Sequence, residues 1–136
     1  MRVLDTGVIV AAFASWHEAH DASRAELRKQ PRVAAHSLVE AYSVLTRLPA
    51  AHRVPAELAA RFLDLAFPAD ALSLDPPQVR PLVTARLPVL GISGGAVYDA
   101  VIAETVRLAG GTLVTLDRRA LSTYERIGCP AELLYG

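Results

Sequence analysis

Four carboxylates stand at places in the sequence where their chemistry could combine. Asp5 and Asp117 each directly follow a short apolar run, whereas Glu40 and Asp99 lie within largely apolar stretches of helical periodicity. A carboxylate in such surroundings needs a partner, a metal ion or access to solvent. Several carboxylates close together cannot all stay ionised without cations, because like charges raise one another's pKa. Since hard cations prefer oxygen ligands, the sequence predicts a Mg²⁺ or Mn²⁺ site suited to phosphodiester hydrolysis.

Three of these acids also have a purely structural explanation. Asp5 and Asp117 can each cap the helix that follows, because an aspartate at that position accepts from the free amides of the first turn. Ser37 and Glu40 match a capping box. Asp99 lies inside a helix, where aspartate is a poor helix former, and its structural alternative is a solvated face. The location that all four share favours a common site.

Several further residues are candidates for supporting roles. Thr6 adjoins Asp5, and Thr115 points to the same side of an extended strand as Asp117, where it can bond a ligand or water. Candidate phosphate contacts are three arginines, Arg118, Arg119 and Arg47. The chain has 14 basic and 14 acidic residues. Because nucleic-acid-binding proteins are usually basic, a neutral chain needs a local basic patch for that purpose.

The elements that must position these residues alternate between strand and helix. The predicted strands are Arg2–Leu4, 33–35, 71–74, Thr112–Leu116 and 133–135. The predicted helices are Thr6–Phe13, 17–30, 37–48, 55–66, 76–87, 94–108 and 119–126. This alternation predicts an α/β fold, with a short central parallel sheet flanked by helices on both faces. In such sheets ligands bind at the carboxyl ends of the strands, where Asp5 and Asp117 stand.

Length and composition narrow the class of protein. We expect residues 1–136 to form a single domain, since 136 residues with 52% apolar content can bury one core. No apolar run approaches the ~18 residues that span a bilayer, and the first residues do not resemble a signal peptide. Cys129 is the single cysteine, which excludes a disulfide framework and a cysteine-based zinc site. We therefore expect a cytoplasmic protein with no membrane contact.

The ordered motifs resemble those of the PIN-domain nucleases, and more narrowly the VapC toxins of bacterial toxin–antitoxin pairs. The resemblance rests on four motifs along nearly the whole chain: Leu4-Asp5-Thr6, Ser37-Leu38-Val39-Glu40-Ala41-Tyr42 with Leu45-Thr46-Arg47-Leu48, Tyr98-Asp99-Ala100 with Ala103, and Thr115-Leu116-Asp117-Arg118-Arg119. Each motif is weak alone, and the ordered set is specific. The stretch from Phe67 to Ile92 carries no motif of this family.

The resemblance implies a function for these residues. It implies a PIN-like fold and an endoribonuclease that depends on Mg²⁺ or Mn²⁺, cuts single-stranded RNA and leaves a 5′-phosphate and a 3′-hydroxyl. In the family, positions matching Asp5 and Asp99 are the regular metal ligands, and those matching Glu40 and Asp117 complete the acidic site. The resemblance also implies a homodimer, and a cognate VapB-type antitoxin as inhibitor.

Three alternatives remain at this point. Asp5-Thr6-Gly7 after an apolar strand is also how aspartic proteases present a catalytic carboxylate, although those enzymes are nearly all β. An aspartyl phosphatase is compatible with an α/β sheet, although such enzymes commonly carry a second Asp where Gly7 stands. A non-catalytic PIN-like module that only binds a partner would keep the fold and cut nothing, but the complete set of four acids argues against it.

Overall fold

Four parallel strands form the centre of the computed structural model, which describes residues 1–135. The strands are β1 (Arg2–Leu4), β2 (Arg32–Val33), β3 (Thr112–Thr115) and β4 (Ala131–Leu133). They lie in the order β2-β1-β3-β4. The helices are α1 (Thr6–Phe13), α2 (His20–Leu27), α3 (Ala35–Thr46), α4 (Ala56–Ala66), α5 (Pro76–Pro81), a π-helical segment (Leu82–Arg86), α6 (Leu87–Val89), α7 (Ala96–Leu108) and α8 (Arg118–Ile127). The predicted α/β architecture is confirmed.

The sheet is covered on both faces, because successive residues of each strand enter different cores. Val3 and Leu113 pack in one apolar cluster with residues of α7 and α8. Leu4 and Val114, one residue further along, pack in a second cluster with residues of α1, α3 and α4. All four side chains are fully buried. Strands buried on both faces are apolar at every position, which explains why these short runs showed no polar alternation.

The structure corrects the predicted strands at three places. The expected strand at 71–74 is reduced to one parallel bridge between Leu72 and Ala34. The second strand ends at Val33, because Ala35 already begins α3. The last strand is Ala131–Leu133 instead of 133–135, because its pairing partner β3 ends at Thr115, opposite Leu133. Pairing with a neighbouring strand, which no local pattern specifies, sets these bounds.

The two central strands place two of the predicted acids side by side. β1 pairs with β3 in parallel, with Leu4 opposite Val114. The Asp5 amide continues this pairing by donating to the Val114 carbonyl at 3.0 Å. Asp5 and Asp117 therefore leave the same edge of the sheet from adjacent strands. None of the helices described for residues 1–135 combines the length and apolar character that crossing a bilayer requires.

Candidate active site

Asp5 is held rigidly at the end of β1. It is the N-cap of α1, and its Oδ1 accepts from the Val8 amide at 3.3 Å. Its Oδ2 accepts from the Tyr124 hydroxyl of α8 at 3.2 Å. Only 6% of the residue is exposed. The capping role expected from the sequence is thus real, and it coexists with a place in the cavity described below, so capping does not argue against a functional role.

Asp117 has the same relation to β3 and α8. It is the N-cap of α8, and its Oδ1 accepts from the Arg119 amide at 2.9 Å. Its own amide donates to the Thr115 hydroxyl at 3.0 Å. Thr115 is fully buried, and its hydroxyl also bonds the Asp5 carboxylate, which lowers the pKa of that group. Thr115 therefore links the ends of the two strands through contacts within the protein.

Glu40 projects from α3 and not from a capping box. The helix begins at Ala35, two residues before the predicted start, and Ser37 is a buried residue within it. The N-cap is Ala34, which has no side-chain cap. The Glu40 carboxylate instead accepts from the Thr6 hydroxyl at 2.9 Å. The capping-box interpretation is wrong, because the bridge at Ala34 sets where the helix starts, and Glu40 is free to face α1.

Asp99 lies in the first turn of α7 and is half-buried. Burial raises the pKa of its carboxyl, and the charges of Asp117 and Glu40 raise it further. His36 of α3 acts in the opposite direction and lowers it. The repulsion shows that three of the predicted acids lie close enough to sense one another, although they are far apart in sequence.

All four carboxylates line one cavity of about 740 Å³ at the carboxyl edge of the sheet. Burial raises the pKa of the Asp5 carboxyl to about 6, and the charge of Asp99 also raises it. Hydrogen bonds from Thr115, Val8 and Tyr124 lower this pKa but do not offset the effect of burial. The wall also contains Glu18, a fifth acid that the sequence analysis did not single out. Such crowding of carboxylates is stabilised by a cation.

The four carboxylates fit a hard cation only if no more than two of them bind the ion directly. Within residues 1–135, no three histidine, cysteine, aspartate or glutamate side chains are close enough together to hold one ion. Mg²⁺ commonly keeps several waters and takes only one or two carboxylates. The arrangement therefore fits an ion held directly by two carboxylates, with the other acids reached through water, and does not fit four direct ligands at once.

Of the three arginines predicted to contact phosphate, one lines the cavity and two do not. Arg118 lines the cavity, with its guanidinium 5.6 Å from the ring centre of Tyr135. Arg119 is exposed and does not line the cavity. Arg47 is also exposed, at the C-terminal end of α3, and lies outside the cavity wall. Only Arg118 stands where a phosphate next to the four acids would contact it.

Besides Glu18, the sequence analysis gave no role in the site to Tyr124 or His36. Tyr124 is 1% exposed and lines the cavity, and its hydroxyl donates to Asp5. Its position in the buried stripe of α8, between Ala120 and Ile127, was a usable signal, because a buried tyrosine hydroxyl normally has a partner. His36 lies 3.7 Å from Glu40, with its ring stacked on Tyr98. The i,i+4 spacing of His36 and Glu40 was the only signal for that contact.

Comparison with known proteins agrees with this geometry. A family model described as PIN domain matches residues 2–126. Ribonuclease VapC40 of Mycobacterium tuberculosis, from strains CDC 1551 / Oshkosh and ATCC 25618 / H37Rv, is 44% identical over 131 residues, which cover 96% of both chains. Ribonuclease VapC27 of the second strain is 39% identical over 127 residues, covering 92% of this chain and 90% of the relative. This chain therefore belongs to the PIN-domain family, in its VapC branch.

Proposed function

We propose that this chain is a metal-dependent endoribonuclease and the toxin of a type II toxin–antitoxin pair. One observation carries the proposal: acids from four separate elements line a single cavity, and the pKa of Asp99 is raised by burial and by the charges of Asp117 and Glu40. The names of the two relatives, both ribonucleases of the VapC group, supply the substrate class. The site of action is the cytoplasm.

Asp5 and Asp99 are the proposed direct ligands of Mg²⁺ or Mn²⁺, and Glu40 and Asp117 the residues that complete the site through water. When bound, the ion supplies charge neutralisation and the Lewis acidity that makes water a nucleophile at neutral pH. The chain's own residues do the positioning. Tyr124 and the Val8 amide orient Asp5, and Thr6 orients Glu40 towards the cavity.

Arg118 is the proposed contact for the RNA phosphate. A guanidinium presents two parallel N–H donors that match a phosphate group, and Arg118 lines the cavity beside Asp117. Arg119 and Arg47 lie outside that wall, so any contact they make is with phosphates beyond the scissile one. Replacing Arg118 with Ala should weaken RNA binding and its dependence on salt more than replacing either of the others.

The proposed partners are a VapB-type antitoxin and a second copy of the chain. Large apolar side chains remain exposed on α3 and on the helical segments from α5 onwards, among them Val39, Val79 and Val83. Exposed apolar surface of this kind commonly marks a protein interface. A non-catalytic PIN-like module would use the same surface to bind a partner. Only a measurement of RNA cleavage therefore distinguishes that alternative from the proposed ribonuclease.

The decisive experiment is cleavage of total cellular RNA by the purified chain in Mg²⁺, in Mn²⁺ and in EDTA, with Asp99→Asn as the variant. Asp99→Asn removes the charge but keeps the shape. We expect discrete cuts that require metal and disappear in the variant, with the fold retained by circular dichroism. Cleavage that persists in Asp99→Asn would refute the proposed site. Absence of cleavage by the wild-type chain would favour the binding module.

A further inference from the structure

A second groove, at the opposite end of α2 from the acidic cavity, is lined by arginines. It has a volume of about 610 Å³ and lies where α2, β2 and α4 meet. Its wall contains Arg24, Arg28 and Arg32, and no acidic residue. Apolar side chains such as Leu27 and Phe67 form the rest of the lining. The groove therefore combines positive charge with apolar surface.

The charges of these arginines are not neutralised within residues 1–135. None of the three forms an ion pair, whereas Arg2, Arg86 and Arg107 are each paired with a buried glutamate. Arg32 donates to the Asp70 carbonyl at 2.7 Å, but its buried Nε has no hydrogen-bond partner in this part of the chain. A buried donor without an acceptor is costly, and a phosphate in the groove would bring acceptor oxygens and negative charge next to these arginines.

The negative charge of the acidic cavity means that RNA binding requires a positively charged surface elsewhere on the protein. Four carboxylates and Glu18 line it, against Arg118 as its single arginine or lysine, so its own field repels the RNA backbone. The chain as a whole has no net charge. Binding of RNA is dominated by contacts with phosphates, and these must come from a local concentration of cations away from the acids.

The geometry of α2 connects the two places. His17 and Glu18, just before α2, line the acidic cavity, and Arg28, just after it, lines the arginine groove. The eight residues of α2 span about 12 Å at 1.5 Å per residue. Arg24 and Arg28 are four residues apart, so they occupy the same face of the helix. The length of α2, about 12 Å, therefore sets the scale of the separation that a bound RNA strand has to span.

We propose that the groove formed by Arg24, Arg28 and Arg32 is a second RNA-binding site, which holds backbone phosphates of the strand whose scissile bond lies in the acidic cavity. Guanidinium groups suit this role because they bond phosphate bidentately. The inference rests on the proposed ribonuclease function for the identity of the ligand. The groove anchors the RNA and takes no part in the chemical step.

The test compares two double variants that change the net charge equally. Arg24→Gln/Arg28→Gln removes two groove arginines, and Arg80→Gln/Arg126→Gln removes two exposed arginines that line neither site. Glutamine keeps good helix propensity. Affinity for a fluorescent single-stranded oligouridylate of about 24 nucleotides, longer than the sites of ~4–16 nucleotides typical of such proteins, is measured in EDTA over a range of salt concentrations.

We expect the groove variant to lose at least tenfold in affinity, and its salt dependence to fall by about two phosphate contacts, with little change in the control variant. In Mg²⁺ the groove variant should show a raised KM and an unchanged kcat. Equal losses in both variants would refute a specific groove, as would unchanged RNA affinity. A groove variant that keeps RNA affinity but loses affinity for polyglutamate would refute it in favour of an acidic peptide ligand.

The same measurements separate the two proposals. Metal-dependent cleavage with equal RNA affinity in both double variants refutes the groove alone and leaves the ribonuclease standing. Groove-dependent RNA binding without any cleavage refutes the ribonuclease and supports the groove as an RNA site. A wild-type chain that neither binds nor cuts RNA refutes both.

Discussion

At the scale of single residues, the site depends on a buried charge that the protein itself restrains. Asp5 accepts hydrogen bonds from the Val8 amide and the Tyr124 hydroxyl, and a further one from Thr115. These bonds fix both carboxylate oxygens, but they do not offset burial, which raises the pKa of Asp5 to about 6. A buried carboxylate oriented in this way is ready for a cation and is destabilising without one.

Asp5 should therefore make the metal-free protein less stable as the pH rises. Its pKa lies near 6 in the folded chain and near 3.8 in the unfolded one, so only the folded chain keeps the proton between those values. Stability from this group is full below about pH 4 and is lost as the pH rises to about 6, a difference of about 3 kcal/mol. Asp5→Asn should flatten this dependence in EDTA, measured by urea unfolding. A loss of stability at pH 8 in Asp5→Asn would contradict the prediction.

Tyr124 should act as a positioning residue for Asp5. Burial, and then the charges of Asp5 and Asp99, raise the pKa of Tyr124 well above its usual value, so the hydroxyl keeps its proton and donates. Tyr124→Phe keeps the ring and removes the donor. Because hydrogen bonds to metal ligands are typically worth 10–100-fold in metal affinity or activity, we expect about that loss in Mn²⁺ affinity by calorimetry, with the same fall in kcat.

The matched control for this variant is Tyr42→Phe, an exposed tyrosine of α3 outside the cavity, which should leave both quantities unchanged. A purely structural role for Tyr124 would lower the melting temperature and leave Mn²⁺ affinity as it was. That result would remove Tyr124 from the site.

At the scale of elements, two junctions of the same kind supply half of the acids. β1 leads through Asp5 into α1, and β3 leads through Asp117 into α8, and each aspartate caps the helix it precedes. Parallel pairing of β1 with β3 then sets the two junctions side by side. The register of that pairing is consequently what brings the two carboxylates to the same cavity.

The close approach at Gly111 should be essential to this register. A Cβ there would lie 3.1 Å from a Val3 methyl, 3.2 Å from a Val106 methyl and 3.3 Å from the Met1 carbonyl oxygen. Overpacking of this kind typically costs about 1–3 kcal/mol, which we expect for Gly111→Ala in urea unfolding. Gly95→Ala is the control, because a Cβ at Gly95 meets nothing within 4 Å and its φ is −63°. Similar stability of both variants would show that β1 and α7 can shift apart freely.

At the scale of the whole molecule, the site is an assembly of distant segments that repel one another. Asp99 and Glu40 come from α7 and α3, and their charges, with that of Asp117, oppose the packing that brings them together. Buried ion pairs elsewhere tie the surrounding elements: Glu104 of α7 bonds Arg86 and Arg107, and Glu26 of α2 bonds Arg2 of β1. These ion pairs stabilise the packing of the surrounding elements, whereas the carboxylates in the cavity repel one another.

Binding of a divalent cation should stabilise the whole protein. A ligand that binds only the folded state at a hundredfold excess over its Kd adds about 3 kcal/mol. We expect Mg²⁺ or Mn²⁺ to raise the melting temperature of the wild-type chain, and EDTA to reverse the rise. Asp99→Asn should abolish it, whereas Asp64→Asn, an exposed acid of α4 outside the cavity, should not. A rise that survives in Asp99→Asn would place the ion elsewhere.

The sequence by itself determined the two central strands and most of the helices. Apolar runs predicted β1, β3 and the α/β class. Asp5 and Asp117 were predicted at strand ends because each directly follows an apolar run in the sequence. Helical periodicity likewise predicted α1, α4, α7 and α8 to within a residue or two at most bounds. These features depend on short-range patterns of apolar and turn residues, which sequence alone expresses.

The tertiary structure decided what depends on contacts between distant segments. The Leu72 bridge set the start of α3 and freed Glu40 from a capping role, and packing of α8 carried the Tyr124 hydroxyl to Asp5. Only the folded chain showed that Arg118 lines the cavity while Arg24 and Arg28 lie with Arg32 in a groove of their own. The physical reason is that burial, repulsion and hydrogen bonding between such residues depend on distances through space, which their separation along the chain does not determine.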